Sequence, residues 1–294
     1  MTENKRSPFL YVDPALFILC VVTVLVGYKA WGYFHIQNPM VANALLGGAV
    51  AAFGTAIGTL PVLLARSLSV RTQDTMLGFA AGVMLAACSF SLIIPGIDAA
   101  RSQGVGAWGS GFIVAGSIML GAGLMFLIER FVPHEHFIKG VEGQQALLIR
   151  RTWLFVFAIA LHNVPEGLAI GVGFGGTDQL RASALAAGIA IQDIPEGLVV
   201  AVALVGAGYK RSSAVLLGIV SGLIEPIAAV LGALVINLST ILLPWGLGFA
   251  AGAMLFVVSH EMIPESHRKG HEAYATGGLI IGFVIMMLLD TVLA

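Results

Sequence analysis

Two short stretches hold the side chains whose types and spacing could do chemistry. "LHNVPEGLAIGV" at 161–172 and "IQDIPEGLVVAV" at 191–202 both place polar groups just ahead of Pro-Glu-Gly-Leu, inside otherwise apolar sequence. On a helix, residues three or four apart share a face, so His162 and Asn163 stand with Glu166, and Gln192 and Asp193 with Glu196. Each face is a small chelator. Pro165 offers no N–H to the carbonyl of Leu161, nor Pro195 to that of Ile191, and each ring is expected to bend its helix and free main-chain oxygens. A third acid, Glu225, precedes Pro226 in "GLIEP".

The surrounding sequence says what must position these groups. Of 294 residues, 58% are hydrophobic and 11% charged, with a mean hydropathy of +0.94, which is the composition of an integral membrane protein. A net charge of −1, with Lys and Arg confined to short connectors, excludes a nucleic-acid partner. Cys20 and Cys88 both lie in apolar runs and make neither a disulfide framework nor a metal-binding pair. Apolar runs fall near 14–34, 41–64, 75–97, 107–131, 152–174, 182–206, 212–236, 241–263 and 273–293. Each approximates the ~20 residues that cross a ~30 Å hydrocarbon layer. Lipid offers no partners to the backbone and the runs are too long for barrel strands, so helices are expected: a leader span, then spans 1 to 8.

With a cytoplasmic N-terminus, twelve of the fifteen basic residues fall on the inner side, and only Lys29, Arg101 and Arg181 fall outside. This asymmetry puts the C-terminus outside, in the periplasm or extracellular space. The leader, residues 1–40, reads as an extra span or uncleaved signal anchor in preference to a cleaved signal peptide, because its apolar run is long and no A-x-A site follows it. Residues 41–294 form one membrane domain of spans 1 to 8, with an inner connector at 132–151 that contains "PHEHF". His134 and His136 there would either capture a metal loosely or belong to a solvated loop.

Depth follows from helix rise. His162 is eleven residues past Arg151, ~16 Å into the bilayer, while Glu196 and Glu225 are each fourteen residues from a basic inner end, ~21 Å deep. The acids therefore share a level near the midplane. Spans 4 and 5 are joined by "GGTDQLR" and run antiparallel, so the repeated motif is related by an in-plane pseudo-two-fold axis, as in transporters that bind cargo between inverted repeats. No Lys or Arg is available at that depth, which leaves protons or bound cations to offset Glu166, Asp193, Glu196 and Glu225. One imidazole with carboxylates and carboxamides suits Zn2+ or Cd2+, with Fe2+ and Mn2+ also compatible. Four carboxylates exceed the charge of one divalent ion, which points to two metals bridged by Glu166 and Glu196. His162 is the sole midplane histidine.

The motifs H-N-V-P-E-G, Q-D-I-P-E-G and G-L-I-E-P resemble those of the ZIP family of divalent-metal transporters, in particular its short bacterial members, over spans 1 to 8. The resemblance implies an all-α, eight-helix bundle, here with one additional N-terminal span, forming a homodimer in the inner membrane. It implies a binuclear site carried by spans 4 and 5. One metal position would comprise His162, Glu166, Gln192, Asp193 and Glu196, with Met84 of span 2 as a thioether ligand. The other would comprise Asn163, Glu166, Asp193, Glu196 and Glu225. Spans 1, 4, 5 and 6 would move against 2, 3, 7 and 8 to bring metal inward, and no nucleotide-binding motif is present to supply ATP energy.

Topology adds second-tier candidates. Asp98 and Asp290 lie near the outer face as possible entrance groups, and Asp74, Glu129, His260, Glu261, Glu265 and His271 near the inner face as possible exit groups, ordinary interfacial polarity being the alternative for both. A rival class, an intramembrane metalloenzyme, is raised by His260-Glu261 but lacks the second histidine of H-E-x-x-H, because position 264 is proline.

Overall fold

The computed structural model describes residues 14–64, 69–131, 162–206 and 208–293, and every regular element among them is helical. In order these are α1 (Pro14–Gln37), α2 (Pro39–Thr59), α3 (Pro61–Leu64), α4 (Val70–Ala86), α5 (Ile94–Ser102), α6 (Ala107–Phe131) and α7 (162–174). They continue with α8 (Gln179–Gly206), α9 (Arg211–Gly222), α10 (Ile224–Leu238), α11 (Leu243–Val257), α12 (Ile263–His267) and α13 (Glu272–Leu293). Seven continuous stretches among the described residues are long and apolar enough to cross a membrane, so the chain is an all-α polytopic membrane protein. The connector 132–151 with His134 and His136, the first part of the apolar run 152–174, and the start of the leader lie outside the described residues.

Local chemistry sets several boundaries. Asn38 caps α2 by accepting from the Val41 N–H, with Pro39 in the first turn where its missing donor costs nothing. Ser69 caps α4 through the Thr72 N–H at 3.1 Å. Two apolar runs prove longer than the sequence implied, because α4 to α5 spans Val70–Ser102 and the helices ending at α12 span Thr240–His267. Both pass through a π-helical turn, Ala87–Ile93 and Val258–Met262, just before Pro95 and Pro264. A proline can neither bond nor easily pass the carbonyl four residues back, and widening the ring relieves the conflict. The Ile94 and Ile263 N–H groups accordingly reach five residues back, to Ser89 O and Val258 O. The run 212–236 is instead broken at Leu223, with Glu225 and Pro226 in the first turn of α10. Pro195 is accommodated within a continuous α8.

Packing divides the bundle. The helices α2, α7, α8, α9 and α10 form one group, and α4, α5, α6, α11, α12 and α13 the other, with α8 lying against α4 and α13. Within a group, glycines let backbones touch. A Cβ at Gly54 would come 2.2 Å from Ala190 O, and at Gly171 2.0 Å from Ala229 O. In the second group, Gly82 would meet Leu279 O at 1.9 Å and Gly252 would meet Ile118 O at 2.0 Å. Between groups side chains fill the gap: Met286 Sδ covers Gly188, and Val172 and Ile236 pack on Gly246. Small residues at such crossings are what dispersion-driven packing in lipid selects. The outward faces stay apolar, with Trp108, Phe112, Met119 and Ile227 exposed as a lipid boundary requires.

Candidate metal centre

The polar groups of α7, α8 and α10 converge. His162, Asn163, Glu166, Gln192, Asp193, Glu196 and Glu225 are all buried. Glu166, Asp193 and Glu196 each offer an oxygen lying within 4.8 Å of the others, a spacing that one divalent ion can span. Gly167, next to Glu166, lies so close to α10 that a Cβ there would approach Glu225 O at 2.4 Å, and this close crossing brings the two acids together.

Neighbouring donors orient these ligands without neutralising them. Gln192 Nε2 donates to Glu166 Oε1. Asn163 Nδ2 donates to the Ser221 carbonyl at 3.0 Å, beside the break that precedes Pro226, which commits the amide nitrogen and not its oxygen. Thr55 of α2 donates through Oγ1 to Glu225 Oε1 at 3.1 Å. Among the described residues, five buried oxygens of this cluster are left with no donor: Glu166 Oε2, Gln192 Oε1, Asp193 Oδ2, Glu196 Oε1 and Glu225 Oε2. Among the described residues, the Lys and Arg ion pairs go to Asp74, Asp98, Asp178 and Glu265, none of them in this cluster. Buried anionic oxygens without donors carry a desolvation cost that a bound cation offsets.

The remaining candidates separate by location. Met84 is buried near the end of α4, just before the π-helical turn. Asp290 is buried and accepts from Ser91 Oγ at 2.7 Å, whereas Asp98 is exposed and 3.9 Å from Arg101, so the two acids expected near the outer face have different surroundings. Of the candidates expected near the inner face, Asp74 meets His271 Nδ1 at 2.9 Å and Lys269 Nζ at 3.9 Å. Glu265 pairs with Arg268 and Lys269, and Glu129 with His260 at 2.7 Å. Glu261 extends from the second π-helical turn to His162, Oε1 to Nε2 2.9 Å, linking this half-buried acid directly to the buried cluster.

Sequence reasoning missed Thr55 and Ser91. A threonine in an apolar helix usually bonds a carbonyl one turn back, as Thr59 does with Ala56 O at 2.7 Å, so nothing local distinguishes Thr55.

The family model described as ZIP Zinc transporter matches residues 134–290. The chain is 50% identical over 254 residues to zinc transporter ZIPB of Bordetella bronchiseptica, covering 86% of this chain and 82% of that protein. It is 44% identical over 251 residues to zinc transporter GufA of Myxococcus xanthus (85% and 97% covered), and 33% identical over 331 residues to human zinc transporter ZIP11 (85% and 97%).

Proposed function

The chain belongs to the ZIP family, a family of transporters and not of enzymes, and from that premise we propose that it carries zinc into the cytoplasm through two adjoining metal seats near the bilayer midplane, without ATP. The observation that carries this reading is the set of five donorless oxygens, on Glu166, Gln192, Asp193, Glu196 and Glu225, with no Lys or Arg paired to them among the described residues. Cadmium, iron(II) and manganese(II) suit the same donors and are further cargo. Following the resemblance, Met84, His162, Glu166, Gln192, Asp193 and Glu196 hold one ion and Asn163, Glu166, Asp193, Glu196 and Glu225 the other, with Glu166, Asp193 and Glu196 shared.

Movement of α2, α7, α8, α9 and α10 against the remaining bundle helices exposes the seats alternately to the two sides. The division between backbone contacts within groups and side-chain contacts between them supports this, since a side-chain interface can slide where a glycine-to-carbonyl contact cannot. Apart from Met84, the seat residues ride on one group, while Met84 and Glu261 ride on the other, so the contact of Glu261 with His162 changes as the groups move, offering a departing ion a ligand toward the inner face. The protein works as a homodimer in the bacterial inner membrane, with eight spans in residues 41–294, an uncleaved leader in 1–40, an inverted repeat about α7 and α8, and the C-terminus outside.

Purified protein in liposomes tests the function. Wild-type vesicles accumulate zinc down its gradient, and Glu166→Ala and Glu196→Ala each reduce flux by at least about tenfold, the effect expected on losing a shared metal ligand. Undiminished flux in both variants, at matched protein content and orientation, refutes the assignment.

A further inference from the structure

Thr55 differs from most hydroxyls of the bundle, which bond a carbonyl of their own helix; like Ser91, it bonds an acid of another helix. Its side chain is buried, and in place of a carbonyl of its own helix it bonds Glu225, 170 residues away. It is also fixed in position. A Cβ at Gly197 would sit 2.2 Å from Thr55 O, and one at Gly222 would sit 2.9 Å from Thr55 Cβ, so α8 and α9 clasp this residue from two sides. The hydroxyl engages Oε1 of Glu225 alone, while Oε2 finds no donor.

The consequence is chemical. A carboxylate with both oxygens free can chelate an ion with two bonds, a mode suited to larger ions that accept more ligands, whereas zinc closes its shell at four or five. We propose that Thr55 is a positioning and specificity residue of the second metal seat, holding Oε1 of Glu225 so that this carboxylate offers one oxygen, which favours zinc over the larger cadmium ion. The proposal rests on the two-seat reading above. Thr55 touches no metal, and it acts only through Glu225.

The test is competitive titration of the full-length protein in detergent with zinc and with cadmium. Thr55→Val keeps the branched shape and removes the donor, Thr55→Ala removes donor and branch together, and Thr55→Ser keeps the donor. Loss of a residue that orients a metal ligand weakens zinc binding about tenfold, while cadmium gains the released oxygen, so the zinc-to-cadmium affinity ratio falls by about tenfold or more in the Val and Ala variants. Thr55→Ser restores the wild-type ratio, which a purely packing role would not require. A ratio unchanged in Thr55→Val and Thr55→Ala, or one lowered equally in Thr55→Ser, overturns the proposal. Glu225→Ala separates the two levels of inference. If it leaves zinc binding intact, the second seat itself is wrong; if it weakens zinc while the donorless Thr55 variants keep the ratio, only the role of Thr55 falls.

Discussion

At the scale of single residues, an acid at the centre of a membrane helix costs ~2.5–3.5 kcal/mol on insertion scales, and several acids gathered in one place add mutual repulsion. Without cargo the cluster therefore works against stability, and a bound cation reverses the sign. Zinc present at about a hundred times its dissociation constant should stabilise the protein by ~2.7 kcal/mol. Glu225→Gln keeps the shape and removes a charge, so it should raise the melting temperature of the metal-free protein and shrink the rise that zinc produces. Thermal shift measured with a chelator and then with zinc checks both signs, and an unreduced zinc-induced shift in the variant refutes the role of Glu225. The four acids are legible from sequence because a charge is conspicuous in an apolar run. Thr55 is not, since its partner is distant in the chain. The Glu261 contact with His162 is hidden for another reason: a π-helical turn alters the helical phase, so a spacing of 3.6 residues misjudges which way Glu261 faces.

At the scale of elements, apolar length foretells seven of the nine expected spans, spans 1 to 3 and 5 to 8, and their observed limits differ from the expected ones mainly where proline or glycine chemistry intervenes. The spans 75–97 and 241–263 lengthen because π-helical turns carry them past Pro95 and Pro264, and 212–236 divides ahead of Pro226. Which helices pair is less legible, because a glycine letter does not say which backbone it admits. The two kinds of glycine contact make separable predictions. A methyl group at Gly82 or Gly252 strikes a main-chain carbonyl that cannot yield. Gly82→Ala and Gly252→Ala should each cost ~1–3 kcal/mol of stability, the usual range for overpacking, and lower the melting temperature. At Gly188 the obstacle is the far end of Met286, a flexible side chain at the boundary between the two groups. Gly188→Ala should melt close to wild type and yet slow zinc uptake, because it disturbs only the surface along which the groups slide. Melting and flux measured on the same three preparations decide this, and a Gly188→Ala protein with wild-type flux counts against motion at that boundary.

At the scale of the whole molecule, direction of transport is inseparable from topology, because the proposed seats would lie between an outer face expected to carry Asp98 and Asp290 and an inner face expected to carry Asp74, Glu129, His260 and Glu265. The asymmetry of the basic residues predicts the sides, with the connector around Thr177 and Asp178 outside and that around Lys210 and Arg211 inside. Thr177 is exposed just before α8, and Ser212 lies in the first turn of α9, so a cysteine at either position reports one side. In a background with Cys20 and Cys88 replaced, a thiol reagent that cannot cross membranes should label Thr177→Cys in intact cells and leave Ser212→Cys unlabelled until the membrane is opened. The opposite pattern would invert the molecule. Glu261 and its contact with His162 would then face the outside, the ion would meet that pair on arrival and not on departure, and inward release by way of Glu261 would have to be abandoned even if both metal seats survived.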